Sequence, residues 1–167
     1  SAIYGTRGSN GVILITTKKG TSQTQMNYNN YFSFDLPTNN IEVLSADDFI
    51  ANKRGFDYGA RTNWQDEITR KYAFSQRHNL SASGGNARTN YYISGDYRGA
   101  EGIDIRSSKN EYGARINVTH TPESNLYTLA LNIAPRYLKS NNADYAGFKQ
   151  ALTLNPTQPI INPTNGN

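Results

Sequence analysis

The chain has 167 residues, a formal net charge of +4, a hydrophobic share of 36% and no cysteine, and its mean hydropathy is −0.71. Without cysteine, the sequence excludes disulfide frameworks, zinc sites built from cysteine and thiol catalysis. The 12 Tyr and 6 Phe argue against disorder, because disordered segments are poor in aromatic residues. The composition therefore favours strands that present every second residue to water, as barrel strands around a hydrated lumen do.

The positive charge does not point to nucleic acid. The 17 Lys and Arg are scattered among Asp, Glu and Asn, which is typical of a solvated surface, so no nucleic-acid partner is predicted. The longest apolar run, residues 12–15, is far shorter than the roughly 20 residues of a membrane helix. Residues 1–4 lack the basic start and apolar stretch of a signal peptide. We therefore expect the chain to be an internal fragment of a longer protein.

The first part of the chain predicts two strands of different kinds. Residues 1–20 combine spaced glycines with a β-branched apolar run, which indicates a turn followed by a strand buried on both faces. Residues 24–34 alternate instead, with Met26, Tyr28, Phe32 and Phe34 on one side and mostly Asn, Gln and Ser on the other. Period-two alternation indicates a strand with one wet face.

A long loop, residues 35–73, is expected to contain two short helices. Ser45 is suited to be the N-cap of a helix with Asp48 in its first turn, and Gly55 is expected to end that helix. A second helix is predicted from Asn63 through Arg70, with Trp64 and Ile68 on one face because they are four residues apart.

Alternation then returns in the rest of the chain. Strands are predicted at about 74–83, 90–98, 111–120 and 126–138, with further long loops at 99–110 and 139–167 and short turns between the other strands. Outer-membrane barrels show this alternation of long loops and short turns, and their strands end in aromatic girdles. Tyrosines begin or end the apolar rows here: Tyr91, Tyr97, Tyr112, Tyr127 and Tyr137. The predicted fold is an all-β membrane barrel fragment of antiparallel up-and-down strands.

A soluble β-sandwich also alternates, so a soluble all-β carbohydrate-binding or adhesion module remains an alternative. That alternative requires Leu129, Leu131 and Ile133 to pack on a second sheet. The polar rows carry Asn, Ser, Thr, Tyr and Arg rather than many Lys and Glu, which suits a crowded, hydrated lumen. An enzyme of the cell envelope is the third alternative.

Three segments carry a resemblance to a known family. The first is SAIYGTRGSNGVILITTKKG at residues 1–20, and it resembles the signature that closes the plug domain of SusC/RagA-type TonB-dependent outer-membrane transporters. The matching plug-signature residues are Ile3, Tyr4, Gly5, Arg7, Gly8, Asn10 and Gly11. The others, NWQDEI at residues 63–68 and HNLSASGG at residues 78–85, resemble the family's TDWQDEI and HNLSVSGG segments. The three occur in the family's order.

The resemblance implies a role in transport. Residues 1–20 would be the C-terminal end of the plug domain, and residues 21–167 the N-terminal part of a 22-stranded barrel in the outer membrane of a Gram-negative bacterium. The family imports oligosaccharides or peptides and is not enzymatic. The implied partners are a SusD-like surface lipoprotein, outer-membrane lipid, and the TonB–ExbB–ExbD energising complex acting through a missing N-terminal region. No cofactor is implied.

Candidate substrate-path residues are aromatic or hydrogen-bonding side chains suited to polar substrates: Tyr31, Trp64, Tyr92, Arg98 and Arg115, with Tyr145 as a further tyrosine. Trp64 has a competing interpretation, in which it anchors its own loop by burial.

The remaining groups of glycines, histidines and acidic residues are not predicted to bind a ligand or to catalyse a reaction. Glycines at 5, 8 and 11 open a strand rather than the helix that a phosphate loop requires. His78 and His120 fall on different predicted strands without a carboxylate at ligand spacing. The acidic pairs at 47–48 and 66–67 are typical of helix first turns and solvated faces. No catalytic residue and no metal ligand is predicted, although a calcium ion in loop 35–73 remains open.

Overall fold

A computed structural model describes residues 23–161 of the chain. These residues form a six-stranded sheet and three short helices. In chain order the elements are β1 Gln25–Asp35, α1 Ala46–Ala51, α2 Trp64–Ile68, β2 Ala73–Gly85, β3 Thr89–Glu101, β4 Ser108–His120, β5 Leu129–Ile133, β6 Arg136–Asn141 and α3 Tyr145–Ala151. The strands are ordered β1-β2-β3-β4-β5, and β6 also pairs with β4. The predicted all-β class with short helices in the first long loop is confirmed, whereas the expected plug end at 1–20 lies outside the described residues.

The strands contribute to two compact units. Among the described residues, the first unit contains 23–27, Ser81–Ser94 and Arg115–Ala134. The second contains Tyr28–Leu80, Gly95–Ala114 and 135–161.

The first unit is built on two tight turns. The β2–β3 turn closes with a hydrogen bond from Asn86 N to Thr89 O at 2.7 Å, and the Asn86 side chain accepts from the backbone N–H groups of Arg88 and Thr89. The turn after β4 closes with Asn125 N donating to Pro122 O at 3.0 Å. Asx side chains that accept from the backbone in this way stabilise turns.

The strand predicted at 126–138 is two strands. β5 pairs antiparallel with β4 from Ile116↔Ile133 to His120↔Leu129, and β6 pairs with β4 from Ser108↔Asn141 to Gly113↔Arg136. Pro135 lies in the interruption, where a proline has no N–H to donate to the ladder. Its carbonyl still accepts a hydrogen bond from Ala114 N at 3.1 Å.

In the second unit, Arg70 organises the turn between β3 and β4. Its guanidinium donates to the main-chain oxygens of Gly102, Asp104 and Ile105 at 2.5–2.8 Å. Because Arg70 holds these carbonyls in a tight turn, β3 and β4 are longer than predicted. They take up both ends of the segment that was expected to be a long loop, 99–110. Only residues 102–107 remain between the two strands.

The helices begin at capping side chains. Ser45 caps α1, accepting from Asp48 N at 3.1 Å, and Asn63 caps α2, accepting from Gln65 N at 3.2 Å. Both helices end earlier than predicted. At the C-terminus of α1 the Asn52 side chain donates to Asp48 O, and Lys53 follows at φ 50°, so the helix does not reach Gly55. Thr69 is extended, which ends α2 before Arg70.

Helix α3 lies in the region expected to be a long loop, 139–167. Asp144 caps it by accepting from Gly147 N at 3.0 Å, and Lys149 in the last turn complements the helix dipole. The sequence predicted a loop here because the alternating strand pattern ends near Ser140 and Pro156, Pro159 and Pro163 follow.

The described residues have almost no hydrophobic core. Their buried hydrophobic residues are three alanines, Ala46, Ala73 and Ala151. Large apolar side chains lie on the surface instead, on the strands and in the loops. The packing therefore leaves the apolar rows of the sheet uncovered by the described part of the chain.

Candidate functional site

Five aromatic rings cross the sheet of the second unit, one from each of five strands. Tyr28, His78, Tyr97, Tyr112 and Tyr137 follow one another with ring centroids 6.1, 6.3, 5.0 and 6.2 Å apart. We call this row the aromatic ladder. Its neighbours are stacked or tilted, which are favourable arrangements for aromatic pairs. Period-two strands place the five rings on one side of the sheet.

Phenylalanines extend the ladder on β1 and β2. Phe32 stacks on Phe74 at 6.1 Å, and Phe34 contacts Phe74 and Tyr72. Polar atoms of the first two ladder rings are hydrogen-bonded. Tyr28 Oη lies 2.7 Å from His78 Nδ1, while His78 Nε2 lies 3.1 Å from Gln76 Oε1. Rings with an apolar body and a bonded polar tip suit a boundary between apolar and aqueous surroundings.

The first unit carries an uncovered apolar row on β4 and β5. Ile116 pairs with Ile133, and Val118 with Leu131. Leu129, Leu131 and Ile133 nevertheless remain 60%, 52% and 45% exposed. The soluble-module alternative requires these three side chains to pack on a second sheet, and residues 23–161 provide none. This row is free to contact an apolar environment outside the described residues.

The opposite side of the second unit's sheet is mainly polar, with the exposed Leu138 opposite Glu111 as an apolar exception, and we call it the polar face. Glu111 accepts from Arg136 at 2.6 Å and lies 3.7 Å from Lys109. The carboxylate of Asp96 lies over Gly113, where an added Cβ would come within 2.6 Å of it. These side chains alternate along their strands with ladder rings, so each strand separates a polar from an aromatic surface.

The five predicted substrate-path residues are distributed between the units. Tyr31 and Arg98 are exposed and alternate with ladder residues, so they lie on the polar face of the second unit. Tyr92 and Arg115 are half-buried and belong to the first unit. No hydrogen bond, ion pair or ring contact joins any two of the five among the described residues. Their role in a substrate path stays a prediction. The plug-signature residues lie outside 23–161.

Trp64 anchors two loops to each other. Its indole nitrogen donates to Asn155 O at 3.0 Å, and the Asn155 side chain donates to Phe56 O at 2.9 Å. Thr157, fully buried, accepts from Tyr58 N at 3.0 Å through its hydroxyl. We call these four bonded residues, with Phe56, the loop clamp. Tyr145, the further tyrosine candidate, begins α3 with an exposed side chain.

Two cavities lie within the loops of the second unit. One has a volume of about 520 Å³ and is lined by Val43, Phe49, Arg61 and Trp64, among others. The other, about 690 Å³, is lined by residues that include Ile41, Thr69, Ser107 and Phe148. Trp64 therefore lines a cavity while its indole N–H donates to Asn155 O.

The histidines take part in local contacts. His78 stands in the aromatic ladder, and His120 Nδ1 lies 2.8 Å from Thr89 Oγ1. The sequence-based predictions place His78 in the HNLSASGG segment without a metal site and do not assign it to the apolar row, although its period-two spacing from Phe74 and Leu80 puts it there. Within residues 23–161, no group of three or more His, Cys, Asp or Glu is arranged to hold a metal ion. No helix in this range has the length and apolar character needed to cross a membrane.

No protein-family model matches the chain, but three curated relatives do. It is 39% identical over 124 residues to TonB-dependent receptor P3 of Formosa agariphila, covering 71% of this chain and 12% of the relative. It is 36% identical over 173 residues to TonB-dependent receptor SusC of Bacteroides thetaiotaomicron, covering 96% of this chain and 17% of that protein. TonB-dependent receptor P26 of Formosa agariphila is 30% identical over 179 residues, 96% of this chain and 18% of the relative. The chain thus spans less than a fifth of the length of these curated relatives.

Proposed function

The chain is a segment of a SusC-type TonB-dependent receptor, and we propose that this receptor transports solutes across the outer membrane of a Gram-negative bacterium. In this proposal the described strands form part of the barrel wall. Their ladder and apolar row contact lipid, and the polar face borders the solute path.

The observation that carries this proposal is the contrast between the two sides of the sheet. Leu129, Leu131 and Ile133 are about half exposed, with a driving force of roughly 25 cal/mol per Å² for removing such apolar area from water. Hydrocarbon chains would cover them without any second protein layer. The aromatic ladder adds the girdle that outer-membrane barrels place at the lipid–water boundary.

The β1 edge of the described sheet supports a larger barrel. Among residues 23–161, β1 pairs only with β2, so within this range the other side of β1 has no strand to bond its backbone N–H and C=O groups. Unsatisfied backbone groups are not tolerated in hydrocarbon. Further strands of the receptor would pair with this edge, and we propose the 22-stranded, plugged architecture that the sequence resemblance implies. A plug is needed because a lumen of that width would otherwise leak.

The solute class and partners follow from the same resemblance. We propose oligosaccharides or peptides as solutes, because the polar face offers amides, hydroxyls and charged groups for polar ligands. A SusD-like lipoprotein would cap the receptor at the cell surface. The TonB–ExbB–ExbD complex would supply energy through a part of the receptor outside this segment.

Cysteine accessibility in the full-length receptor tests the proposal. Leu131 and Asn132 are adjacent, exposed residues of β5 that point to opposite sides of the sheet. Single cysteines are introduced at each position, and at Tyr28 and Asn29 of β1, in a receptor reconstituted in liposomes. We expect Asn132→Cys and Asn29→Cys to react with a charged maleimide, and Leu131→Cys to react only with a lipid-soluble one. Tyr28→Cys, at the lipid–water boundary, should react with the charged reagent more slowly than Asn29→Cys.

Equal labelling of both members of each pair by the charged reagent would contradict the membrane assignment. A receptor that labels as expected but moves no oligosaccharide or peptide into proteoliposomes or cells would leave the membrane assignment standing and refute transport of these solutes.

A further inference from the structure

Four positively charged side chains of the second unit lie on the polar face. The ring contacts of the aromatic ladder, on the other side of the sheet, show which of these residues are opposite each other on neighbouring strands. Because His78 stacks on Tyr97 across antiparallel β2 and β3, the adjoining residues Arg77 and Arg98 are cross-strand neighbours on the other side of the sheet. The contact between Tyr97 and Tyr112 places Arg98 beside Glu111 in the same way.

Lys109 and Arg136 complete the group. Lys109 is two residues before Glu111 on β4 and therefore shares its face, and Arg136 is opposite Gly113 in the β4–β6 register. We call Arg77, Arg98, Lys109 and Arg136 the basic patch. All four side chains are exposed.

The carboxylates nearby do not balance the patch. Glu111 is already shared by Arg136 and Lys109, and its side chain is only 13% exposed. Asp96 lies over Gly113. Within residues 23–161, no carboxylate oxygen lies within ion-pair distance of Arg77 or Arg98. Four cations therefore face two carboxylates, and two of the cations are neighbouring arginines.

Like charges directly opposite each other on neighbouring strands are unfavourable. An anion held between two guanidinium groups removes that repulsion and satisfies their N–H donors. Guanidinium groups bind carboxylate and oxyanion groups with two parallel hydrogen bonds, which a lysine ammonium cannot do. The arrangement of Arg77 and Arg98 is thus suited to a carboxylate or a sulfate.

The neutral surroundings indicate what carries the anion. The stacking of Tyr28 on His78 places Asn29 beside Arg77, and Ser75 and Asn79 flank Arg77 on the same face of β2. Amide and hydroxyl groups match the many hydroxyls of a sugar chain. The exposed apolar side chain of this face, Leu138, lies opposite Glu111 and is separated from Arg77 by the strand that carries Arg98.

We propose that the basic patch binds the carboxylate or sulfate groups of an acidic oligosaccharide, with Arg77 and Arg98 as the main anion-binding residues. This inference rests on the proposed transport function and narrows its solute class. The patch determines specificity, because a neutral oligosaccharide gains nothing from the paired arginines.

Binding and uptake by the full-length receptor test the inference. The probes are hexagalacturonate, a sulfated carrageenan hexasaccharide, neutral maltohexaose and hexaglutamate. We expect one of the two acidic saccharides to bind more tightly than maltohexaose. Arg77→Gln with Arg98→Gln should weaken that binding by about 10- to 100-fold, the loss typical of charge-assisted hydrogen bonds. Arg77→Lys with Arg98→Lys should recover only part of it.

Arg106→Gln is the matched control, since Arg106 is an exposed cation in the β3–β4 turn outside the patch. It removes one arginine charge, against two in the double variant, and should leave acidic-saccharide binding unchanged. Correct assembly of each variant is checked by heat-modifiable migration in gels.

The outcomes separate the two proposals. Uptake of maltohexaose without binding of either acidic saccharide would overturn the basic-patch inference and leave transport intact. Tighter binding of hexaglutamate than of either acidic saccharide would overturn the saccharide class. An equal loss in Arg106→Gln would overturn the patch itself. No uptake of any probe would count against the transport proposal.

Discussion

The indole nitrogen of Trp64 donates a hydrogen bond to the main-chain oxygen of Asn155, 3.0 Å away and 91 residues later in the chain. Asn155 in turn donates to Phe56 O at 2.9 Å. These bonds join the loop after β1 to the segment after α3. The long loops of the second unit are therefore held in a defined conformation by polar contacts rather than by an apolar core.

The loop clamp gives the first prediction. Trp64→Phe keeps an aromatic ring but removes the N–H, leaving Asn155 O without this donor, and should cost about 1 kcal/mol of local stability. Thr157→Val removes the hydroxyl that accepts from Tyr58 N and leaves this part-buried N–H without its partner, with a cost of about 1 kcal/mol. Hydrogen exchange of residues 56–64 in the full receptor measures both changes.

Thr157→Ser is the matched control for the clamp, because it retains the hydroxyl. Protection of residues 56–64 should stay near that of the unchanged receptor in this variant. Unaltered exchange in Thr157→Val would mean that the clamp does not hold the loops together.

The β2–β3 turn gives a second prediction. Gly85 has φ 154°, and a Cβ added there would overlap Thr89 O and approach Asn90 Cα to 2.7 Å. These are backbone atoms, so no flexible side chain can move aside. Gly85→Ala should therefore destabilise the hairpin by about 3 kcal/mol and reduce the amount of assembled receptor. Gly95→Ala, whose added Cβ meets nothing within 4 Å, should assemble normally. Equal yields of the two variants would contradict the steric assignment.

The centre of the aromatic ladder gives a third prediction. Tyr97 contacts the rings of both His78 and Tyr112, and its hydroxyl donates to Asn110 Oδ1 at 2.9 Å. Tyr97→Ala removes two ring contacts, each worth about 0.5–1.5 kcal/mol. Tyr97→Phe loses only the hydrogen bond, worth about 1 kcal/mol. Thermal unfolding of the receptor in liposomes should therefore rank Tyr97→Phe above Tyr97→Ala, and the reverse order would show that the ladder rings contribute little.

The apolar row gives a fourth prediction, which depends on its contact with lipid. An arginine facing the lipid near the bilayer midplane costs about 2–4 kcal/mol. Leu131→Arg should therefore lower receptor stability strongly, while Asn132→Arg, on the other side of β5, should be tolerated. The comparison uses denaturant unfolding of receptors folded into liposomes. If Asn132→Arg proved the more harmful of the two, β5 would face the opposite way.

Local sequence signals located the helix starts and much of the strand pattern. Ser45 and Asn63 cap α1 and α2 because side-chain oxygens next to a helix start accept orphan N–H groups. Helix ends were less predictable, since Asn52 and the extended Thr69 stopped the helices before Gly55 and Arg70. Asp144 is a suitable N-cap for α3, but the prolines that follow favoured the prediction of a loop.

The sequence likewise predicted the position of some site residues and not of others. Alternation placed Tyr31 and Arg98 on the polar side of their strands, and it also identified Tyr97, Tyr112 and Tyr137 as ends of apolar rows. It did not reveal that His78 joins these rings, because ring contacts depend on which residues become cross-strand neighbours. The basic patch was missed for the same reason: Arg77 and Arg98 are 21 positions apart, and only strand pairing places them together.

The period-two pattern by itself determined the polarity of the two sides of the sheet, because successive side chains of a strand must point in opposite directions. The short turns predicted between strands indicated antiparallel pairing, since a tight turn can join only antiparallel neighbours. Only the tertiary structure decided which strands pair and which side chains and loops contact each other. The guanidinium of Arg70 shortened the β3–β4 connection by binding its carbonyls, and Pro135 lies where one expected strand became two. Strand register set the order of rings in the ladder. Hydrogen bonds between distant backbone groups joined two loops, and no short sequence segment in either loop predicted that contact. Such contacts form between residues far apart in sequence, so they follow from how the chain pairs and not from any single segment.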